Sequence, residues 1–464
     1  MSSDNLSISR REFGLSIGGW ALCNRLFGAD PSMPWMEPAT VKKVFLAVPK
    51  PTWPRPDLDV AAEKAQLEAA LAELERKYTG SLRLTGGELV RTPEQAQAAA
   101  RSAAEADGLL IVDLTSGTSS LLRPFRDVPA PTLLFARPYS GWSYEEVTLW
   151  IQNGKKGDLV STSEPGDLDP YMRIFRTIHH LKKSKVLVVS TGRGRATTDA
   201  FSKQFGTAFD FPSYQDLKAL FDSSDAAEAQ KAAEQYSRAA LKVVEPSPKD
   251  IADSMRFYRA VLKMLDREKA NAITIDCLGG FRRGDLPAYP CVAWSKLNDA
   301  GLYGVCEADV FSTMTQLLLT SFSGKPGFVS DPIFDTGRNE IIHAHCVAAT
   351  AMNGIGAPSA PYIIRSHMED NKGVSVQVIM PIQETITVGK FVDASTFAVS
   401  TGEVIGNVDN PRGCRTKIRT RVADARKMLT NYKGGLHRVV FYGDYTRPLE
   451  QMGRMMGFKV VREC

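Results

Sequence analysis

The sequence of 464 residues carries little net charge and contains no paired cysteine motif. Lys and Arg number 57 against 52 Asp and Glu, so the formal net charge is only +5. A dedicated nucleic-acid-binding protein usually has a larger positive excess, and we therefore expect no nucleic-acid partner. The seven cysteines form no CxxC pair, which argues against a zinc knuckle, an iron–sulfur ferredoxin and a small disulfide-framed domain.

The overall composition excludes several other classes of protein. Hydrophobic residues make up 43% of the chain and charged residues 23%, which is ordinary for a globular protein and unlike a disordered chain, a collagen or a polytopic membrane protein. No internal repeat or low-complexity tract is visible. At roughly 100–200 residues per domain, the length predicts two to four domains.

The amino-terminal residues 1–29 have the pattern of a twin-arginine export signal. Arg10 and Arg11 are followed by one spacer and Phe13, and then by a weakly hydrophobic stretch from 15 to 23. That stretch is shorter than the about 20 apolar residues that span a bilayer. The pattern predicts export of a folded protein to the periplasm or the exterior, with no membrane contact after the signal is removed. The alternative is a frayed amphipathic start with two chance arginines.

Strands and helices alternate along most of the remaining chain, which predicts parallel sheets covered by helices. The predicted fold class is α/β, with two Rossmann-like doubly wound α/β domains followed by a C-terminal β-rich domain. The predicted domains are an N-terminal α/β domain over residues 30–168, a second α/β domain over 169–357, and a β-rich domain over 358–464, where β-branched runs alternate with Gly, Pro and Asn turns.

The signals for a dinucleotide cofactor are weak. The loop Thr191–Arg195 follows a strand and precedes a helix, but it holds only G-x-G and lacks the third glycine. The first strand leads into Pro49-Lys50-Pro51, which does not suit a phosphate-binding turn. The neighbouring pair His179-His180 is predicted to be a solvated helix end.

Acidic residues and histidines concentrate in the segment 304–346. Glu307 and Asp331 each end an apolar run, and His345 lies in the closing stretch of the segment. Carboxylate and imidazole groups at the ends of parallel strands suit Mn²⁺ or Mg²⁺. The alternative is structural: Glu307 caps a helix, Asp331 begins a turn and His345 is a satisfied core histidine.

Four motifs in the second half of the chain resemble the L-fucose isomerase and L-arabinose isomerase superfamily, in its fucose-isomerase-like branch. They occur in the family's order and are GVCEAD from Gly304, SGKPGFVSDP from Ser323, NEIIHAHC from Asn339 and GGLHRVVF from Gly434. The resemblance covers roughly residues 40–464, and it also fits the architecture of two α/β units and a β module.

The resemblance implies roles for particular residues. Glu307 and Asp331 match the family's two catalytic and metal-binding acids, and His437 and His345 match metal ligands. Arg438 stands where the arabinose enzymes have a second histidine, and this departure leaves open which groups complete the metal shell and meet the sugar. We predict sugar contacts for Arg438 and His367. The implied cofactor is Mn²⁺ or another divalent cation.

The function expected from the resemblance is that of an exported, metal-dependent isomerase. Such an enzyme interconverts an aldose and a ketose through a cis-enediol, with a small carbohydrate as substrate. The resemblance also implies a homo-oligomer, either a trimer or a hexamer. Two alternatives stay open, namely a non-catalytic sugar-binding protein on the same scaffold and an exported NAD(P)-dependent sugar oxidoreductase.

Overall fold

The structure is a computed structural model that describes residues 33–192 and 195–464, without the side chain of residue 195. The predicted export signal and the centre of the Thr191–Arg195 loop lie outside the described residues. The described chain divides into two compact units. One comprises residues 36–180 and 447–459, and the other comprises 33–35, 181–446 and 460–464.

The first unit is built on a parallel sheet of five strands in the order β2-β1-β3-β4-β5. The central strand β3 is buried along its whole length, as expected for a strand flanked by others in a parallel sheet. The elements of this part of the chain are β1 Ala39–Leu46, α1 Val60–Lys77, β2 Leu82–Val90, α2 Pro93–Ser102, β3 Gly108–Asp113, α3 Ser119–Leu122, β4 Thr132–Ala136, α4 Tyr144–Gln152, β5 Gly157–Ser161 and α5 Asp169–Lys183.

The second unit begins with another parallel sheet, of four strands in the order β10-β9-β6-β7. Its longest helix starts at Pro248, because Ser247 and Asp250 form a capping box around that residue. The elements up to residue 327 are β6 Lys185–Val189, α6 Arg195–Phe205, β7 Ala208–Asp210, α7 Tyr214–Asp222, α8 Ala226–Ala239, β8 Lys242–Val243, α9 Pro248–Arg267, β9 Ala272–Ile275, α10 Cys277–Arg283, α11 Cys291–Asp299, β10 Tyr303–Cys306 and α12 Val310–Ser323.

An antiparallel barrel follows in the same unit. Six strands pair side by side in the order β15-β18-β11-β12-β17-β16, and the pairing of β15 with β16 closes the barrel. The strand β19 pairs with β16, and β14, β13 and β8 form a small separate sheet. The elements are β11 Phe328–Asp335, β12 Glu340–His345, β13 Tyr362–Arg365, β14 Ser375–Val378, β15 Thr385–Asp393, β16 Thr396–Asn407, β17 Thr416–Val422, α13 Ala425–Thr430, β18 Arg438–Tyr442 and β19 Lys459–Arg462. The intervening helix α14 Thr446–Met456 belongs almost wholly to the first unit.

The predicted fold class is confirmed, since parallel α/β domains precede a β-rich domain with a barrel. One placement differs from the expectation. The strands β11 and β12 lie in the barrel and not in the parallel sheet, although they precede residue 358 in the chain. The domain boundaries themselves stay a prediction. Among the described residues, no helix combines the length and the apolar character that a membrane crossing needs.

Candidate metal centre

Glu307 lies in a strained turn between a parallel strand and a helix. The turn leaves β10 at Cys306, and both Glu307 (φ 65°) and Ala308 (φ 51°) have left-handed backbone conformations that residues other than glycine rarely adopt. Asp309 then caps α12 by accepting a hydrogen bond of 3.0 Å from the backbone N–H of Ser312. The helix cap is therefore Asp309 and not Glu307. The carboxylate of Glu307 is not used for capping.

The barrel carries the next two predicted residues. Asp331 lies inside β11, directly opposite Ala344 of the antiparallel neighbour β12. His345 is the last residue of β12. The expectation that Asp331 follows a strand of a parallel sheet, or begins a turn, is therefore wrong. Its position in the barrel is fixed by the ladder of hydrogen bonds on both sides of β11.

His437 follows a glycine-containing turn and directly precedes β18. Gly434 and Gly435 have φ of 79° and 86°, where a side chain would strain the backbone. A Cβ atom on Gly434 would also lie 2.5 Å from the Val392 side chain. The sequence GGLH thus forms a tight turn that places the imidazole of His437 beside the residues of β11 and β12.

The side chains of four predicted residues converge on one place. His437 Nε2 lies 3.6 Å from Glu307 Oε2 and 3.4 Å from Asp331 Oδ1. His345 Nε2 lies 3.8 Å from Glu307 Oε1. Glu307, His345 and His437 offer ligand atoms within 4.8 Å of one another, and together they form a candidate metal site.

The chemistry of this cluster fits a divalent metal ion. Asp331 Oδ1 and His437 Nε2, which lie 3.4 Å apart, are buried and find no hydrogen-bond partner in the part of the chain that the structure describes. Buried polar atoms are normally satisfied, so unpartnered atoms that face one another indicate a bound group. Ligands held about 2.0–2.2 Å from one ion lie roughly 3–4 Å apart, which matches the separations in the cluster. Mixed carboxylate and imidazole ligands suit several divalent transition metals, Mn²⁺ among them.

Asp309 contacts His437, and Lys390 contacts the same carboxylate of Asp309. Neither residue was predicted from the sequence to belong to the site. His437 Nδ1 shares a hydrogen bond of 2.8 Å with Asp309 Oδ2, and Lys390 Nζ donates to the same oxygen at 2.6 Å. A carboxylate on one imidazole nitrogen orients the ring and leaves the other nitrogen for a metal. The sequence did offer a signal for Asp309, which lies in the same GVCEAD motif as Glu307. For Lys390, the corresponding signal was that it is a single lysine in the otherwise mainly apolar strand β15.

The buried charges of this site shift several pKa values. Burial raises the pKa of Asp331, against the opposing effect of His437. Burial also opposes ionisation of Asp309, but the hydrogen bond from His437 and the charge of Lys390 outweigh it and hold the pKa of that carboxyl well below its usual range. The pKa of His345 falls to about 4 because of burial and the nearby His437, so its imidazole is neutral at pH 7, as a metal ligand must be.

The two residues predicted to contact sugar have different surroundings. Arg438 is fully buried and forms a bidentate ion pair with Glu463, at 3.0 and 2.6 Å. Its remaining donors bind the carbonyl groups of Lys433, Gly435 and His437. The guanidinium therefore anchors the turn that carries His437, and its role in sugar binding stays a prediction.

His367 lies in an aromatic stack near the candidate metal centre. Its ring stacks on Tyr289 at 4.2 Å between centroids, and Tyr289 stacks on Phe281 at 3.9 Å. The imidazole is also hydrogen-bonded to the Cys346 thiol, directly after the candidate ligand His345. Its predicted contact with sugar is untested.

The comparison with known proteins finds one distant relative to report. The sulfoquinovose isomerase of Clostridium sp. (strain MSTE9) is 27% identical over 186 residues, which are 38% of this chain and 40% of that protein. The chain thus covers less than half the length of this relative. No family model matches the chain. The name of this relative is that of a sugar isomerase.

Proposed function

We propose that this protein is a metal-dependent sugar isomerase that interconverts an aldose and a ketose. The observation that carries the proposal is the convergence of Glu307, His345 and His437 in a candidate metal site, with Asp331 beside it. The distant similarity to a sulfoquinovose isomerase supports the same class of reaction.

The reaction moves a proton between two neighbouring carbons through a cis-enediol. It requires one group that takes the proton from carbon and returns it, and another that moves the hydroxyl proton. A divalent ion bound here would stabilise the negative charge that develops on the two substrate oxygens. Glu307, His345 and His437 would hold that ion, and Asp331 lies close enough to His437 to join them.

The two carboxylates are suited to the proton transfers. Burial raises the pKa of Asp331, so this carboxyl keeps a proton to a higher pH than an exposed aspartate and suits the exchange of the hydroxyl proton. Glu307 lies 3.6 Å from the same nitrogen of His437 and is assigned to the carbon-bound proton. Asp309 has a positioning role, because it fixes the ring of His437.

The relative supports the proposed substrate class, and the sequence supports the proposed location. A free monosaccharide fits the proposed reaction, and sulfoquinovose is the first candidate because the relative is named for it. The paired Arg10 and Arg11 support export by the twin-arginine route. The same scaffold without turnover would be a sugar-binding protein, and the experiment below separates the two.

The test is a screen of aldoses and ketoses, sulfoquinovose included, with the full chain in the presence of Mn²⁺. Product chromatography would show an isomer with the sugar's own mass, formed without added nicotinamide. Metal removal with a chelator should stop the conversion, and Mn²⁺ should restore it. Binding of a sugar without conversion would favour the sugar-binding alternative, and conversion that needs NAD(P) would favour the oxidoreductase.

A further inference from the structure

A cavity of about 350 Å³ lies in the second unit, beside the first two turns of α9. Its lining includes three polar residues of that helix, the ring of Phe281 and the segment from Asn371 to Gly373. None of the four residues of the candidate metal centre is part of the lining, so the cavity is a separate feature of the molecule. Its volume lies in the range of small-molecule sites in proteins.

Ser254 lines this cavity, and its hydroxyl group has no partner. The residue lies in the second turn of α9, and only 1% of its surface is exposed. In the described part of the chain its Oγ forms no hydrogen bond, although a serine in a helix can usually bind the carbonyl group one turn earlier. Buried polar atoms are normally satisfied, so an unpartnered hydroxyl in the wall of a cavity points to a bound polar group.

Two charged side chains of the lining lack a countercharge. Lys372 lies in the loop between β13 and β14, and its Nζ forms no hydrogen bond or ion pair within the described residues. Asp250 lies on α9, where its Oδ2 accepts from the N–H and the hydroxyl of Ser247 at 2.9 and 2.6 Å. No lysine, arginine or histidine of the described chain forms an ion pair with it. An ammonium and a carboxylate from different elements thus remain available to a ligand.

The other two carboxylates of the lining already have cationic partners. Glu245 forms a bidentate ion pair with Arg365, at 2.9 and 2.6 Å. Asp253 forms an ion pair with Lys249 at 2.5 Å. The cavity therefore presents one unpaired charge of each sign. A polyanion or a polyamine would meet a group of its own sign there, which costs binding energy. An uncharged polyol would leave both charges without a countercharge.

We propose that the cavity binds a small zwitterion of the α-amino-acid class. The carboxylate of the ligand binds the ammonium group of Lys372, whose flexible side chain can follow it. The ammonium group of the ligand binds the carboxylate of Asp250 and the hydroxyl of Ser254, and such charge-assisted hydrogen bonds are the strong ones. The apolar part of the ligand contacts Phe281, the first ring of the stack that continues through Tyr289 to His367.

The test is calorimetric titration of the full chain with L-leucine and L-phenylalanine. The tighter of the two is then compared with the matching amine, which lacks the carboxylate, and with the matching carboxylic acid, which lacks the ammonium group. Each analogue should bind about tenfold or more weaker than the amino acid, because it loses hydrogen bonds between charged groups. D-Glucose should not displace the amino acid. No metal and no sugar conversion is needed, so the result is independent of the proposed function.

Three variants assign the two ends of the ligand. Lys372→Met should weaken binding of the amino acid about tenfold or more and leave binding of the amine unchanged. Asp250→Asn should weaken the amino acid equally and leave the carboxylic acid unchanged. Ser254→Ala should weaken the amino acid about two- to tenfold without a loss of melting temperature, because the hydroxyl has no protein partner to lose. Lys231→Met, at an exposed position on α8, is the control and should change nothing.

Several outcomes would overturn the inference. They are an absence of binding by both amino acids, equal affinity for an analogue that carries one charge, and displacement of the amino acid by glucose. Unchanged affinity in Lys372→Met and Ser254→Ala would do the same. Asp250 belongs to the capping box of α9, so its variant is judged only if its melting temperature is retained, and the other two variants decide the question without it.

Discussion

His437 and Asp309 share a hydrogen bond of 2.8 Å although they lie 128 residues apart in the sequence. The same oxygen of Asp309 accepts from Lys390 at 2.6 Å. One carboxylate thus links a helix of the parallel α/β region to a strand and a turn of the barrel. This linkage makes Asp309 as important for the orientation of the imidazole as the backbone turn that carries it.

We therefore expect Asp309→Asn to weaken metal binding. Asparagine can still cap α12, but it removes the charge that orients His437 and balances Lys390. The Mn²⁺ dissociation constant, measured by calorimetry, should rise about 10–100-fold. Asp225→Asn makes the same change at the exposed cap of α8 and should leave it unaltered. Equal affinities for the two variants would show that Asp309 is only a helix cap.

Glu307→Gln should abolish isomerisation while the protein still folds. The substitution keeps the size and the strained backbone of the residue but removes a base and an anionic ligand. The loss of a positioned acid–base group costs about 10²–10⁴-fold in rate, to which weaker metal binding would add. Turnover and melting temperature should be measured on one preparation, with Glu384→Gln as an exposed control. Retained turnover in the Glu307 variant, with metal bound, would identify another residue as the catalytic acid or base.

The backbone of Ala308 gives a prediction that concerns stability alone. Its left-handed conformation costs an L-residue about 1–2 kcal/mol, which glycine avoids. Ala308→Gly should therefore leave the free energy of unfolding unchanged or raise it by about 1 kcal/mol, as measured with urea. Ala233→Gly, in the middle of α8, should lower it by about 1 kcal/mol. A comparable loss in both variants would mean that the turn is not strained.

Asp113, at the end of β3 in the first unit, should make stability depend on pH. Burial raises its pKa to about 6, against hydrogen bonds from Ser143 and Thr118. A raised carboxyl pKa stabilises the fold below the unfolded value near 4, and this contribution disappears as the pH rises through about 6. The shift corresponds to roughly 3 kcal/mol.

The measurement is the difference in unfolding free energy between Asp113→Asn and the parent protein. The variant should be about equal to the parent at pH 4 and more stable at pH 8, because asparagine carries no charge to bury. A difference that stays constant from pH 4 to pH 8 would contradict the shifted pKa.

The buried pair of Arg438 and Glu463 supports a further prediction. Glu463→Gln leaves the Arg438 charge in the interior without its partner, which should cost about 3–5 kcal/mol of unfolding free energy. Glu403→Gln breaks an exposed pair of 3.6 Å with Arg421 and should cost at most about 1 kcal/mol. Chemical denaturation measures both. Similar costs for the two variants would show that the buried pair does not anchor the turn before β18.

Much of the fold could be predicted because local patterns coincide with tertiary structure. The strands β3 and β4 are mostly apolar runs in the sequence, and α9 begins at a Ser-Pro-Lys-Asp stretch that is typical of a helix start. The strand β2 was not predicted, because Gly86 and Gly87 interrupt it. The structure accommodates them at an irregularity in the pairing with β1.

The candidate site was only partly predictable, for a physical reason. Motifs identified Glu307, Asp331, His345 and His437, but a buried network depends on partners that only the tertiary structure brings together. His179 illustrates the same limit. It was expected to be solvated, but it is 5% exposed, and its Nδ1 lies 2.8 Å from Oδ2 of Asp107, in the bend before β3 of the first unit. Sequence patterns do not indicate which side chains form a contact when the two residues lie far apart in the sequence.

The closed barrel has a consequence for the order of assembly. Strand β18 pairs on one side with β11 and on the other with β15, and His437 directly precedes it. A growing chain that has passed Glu307 and His345 still lacks the strand that holds His437 in place. Biosynthesis must therefore deliver nearly all of the described chain before the four side chains can meet, so the complete cluster becomes available to an ion only late in synthesis or after it.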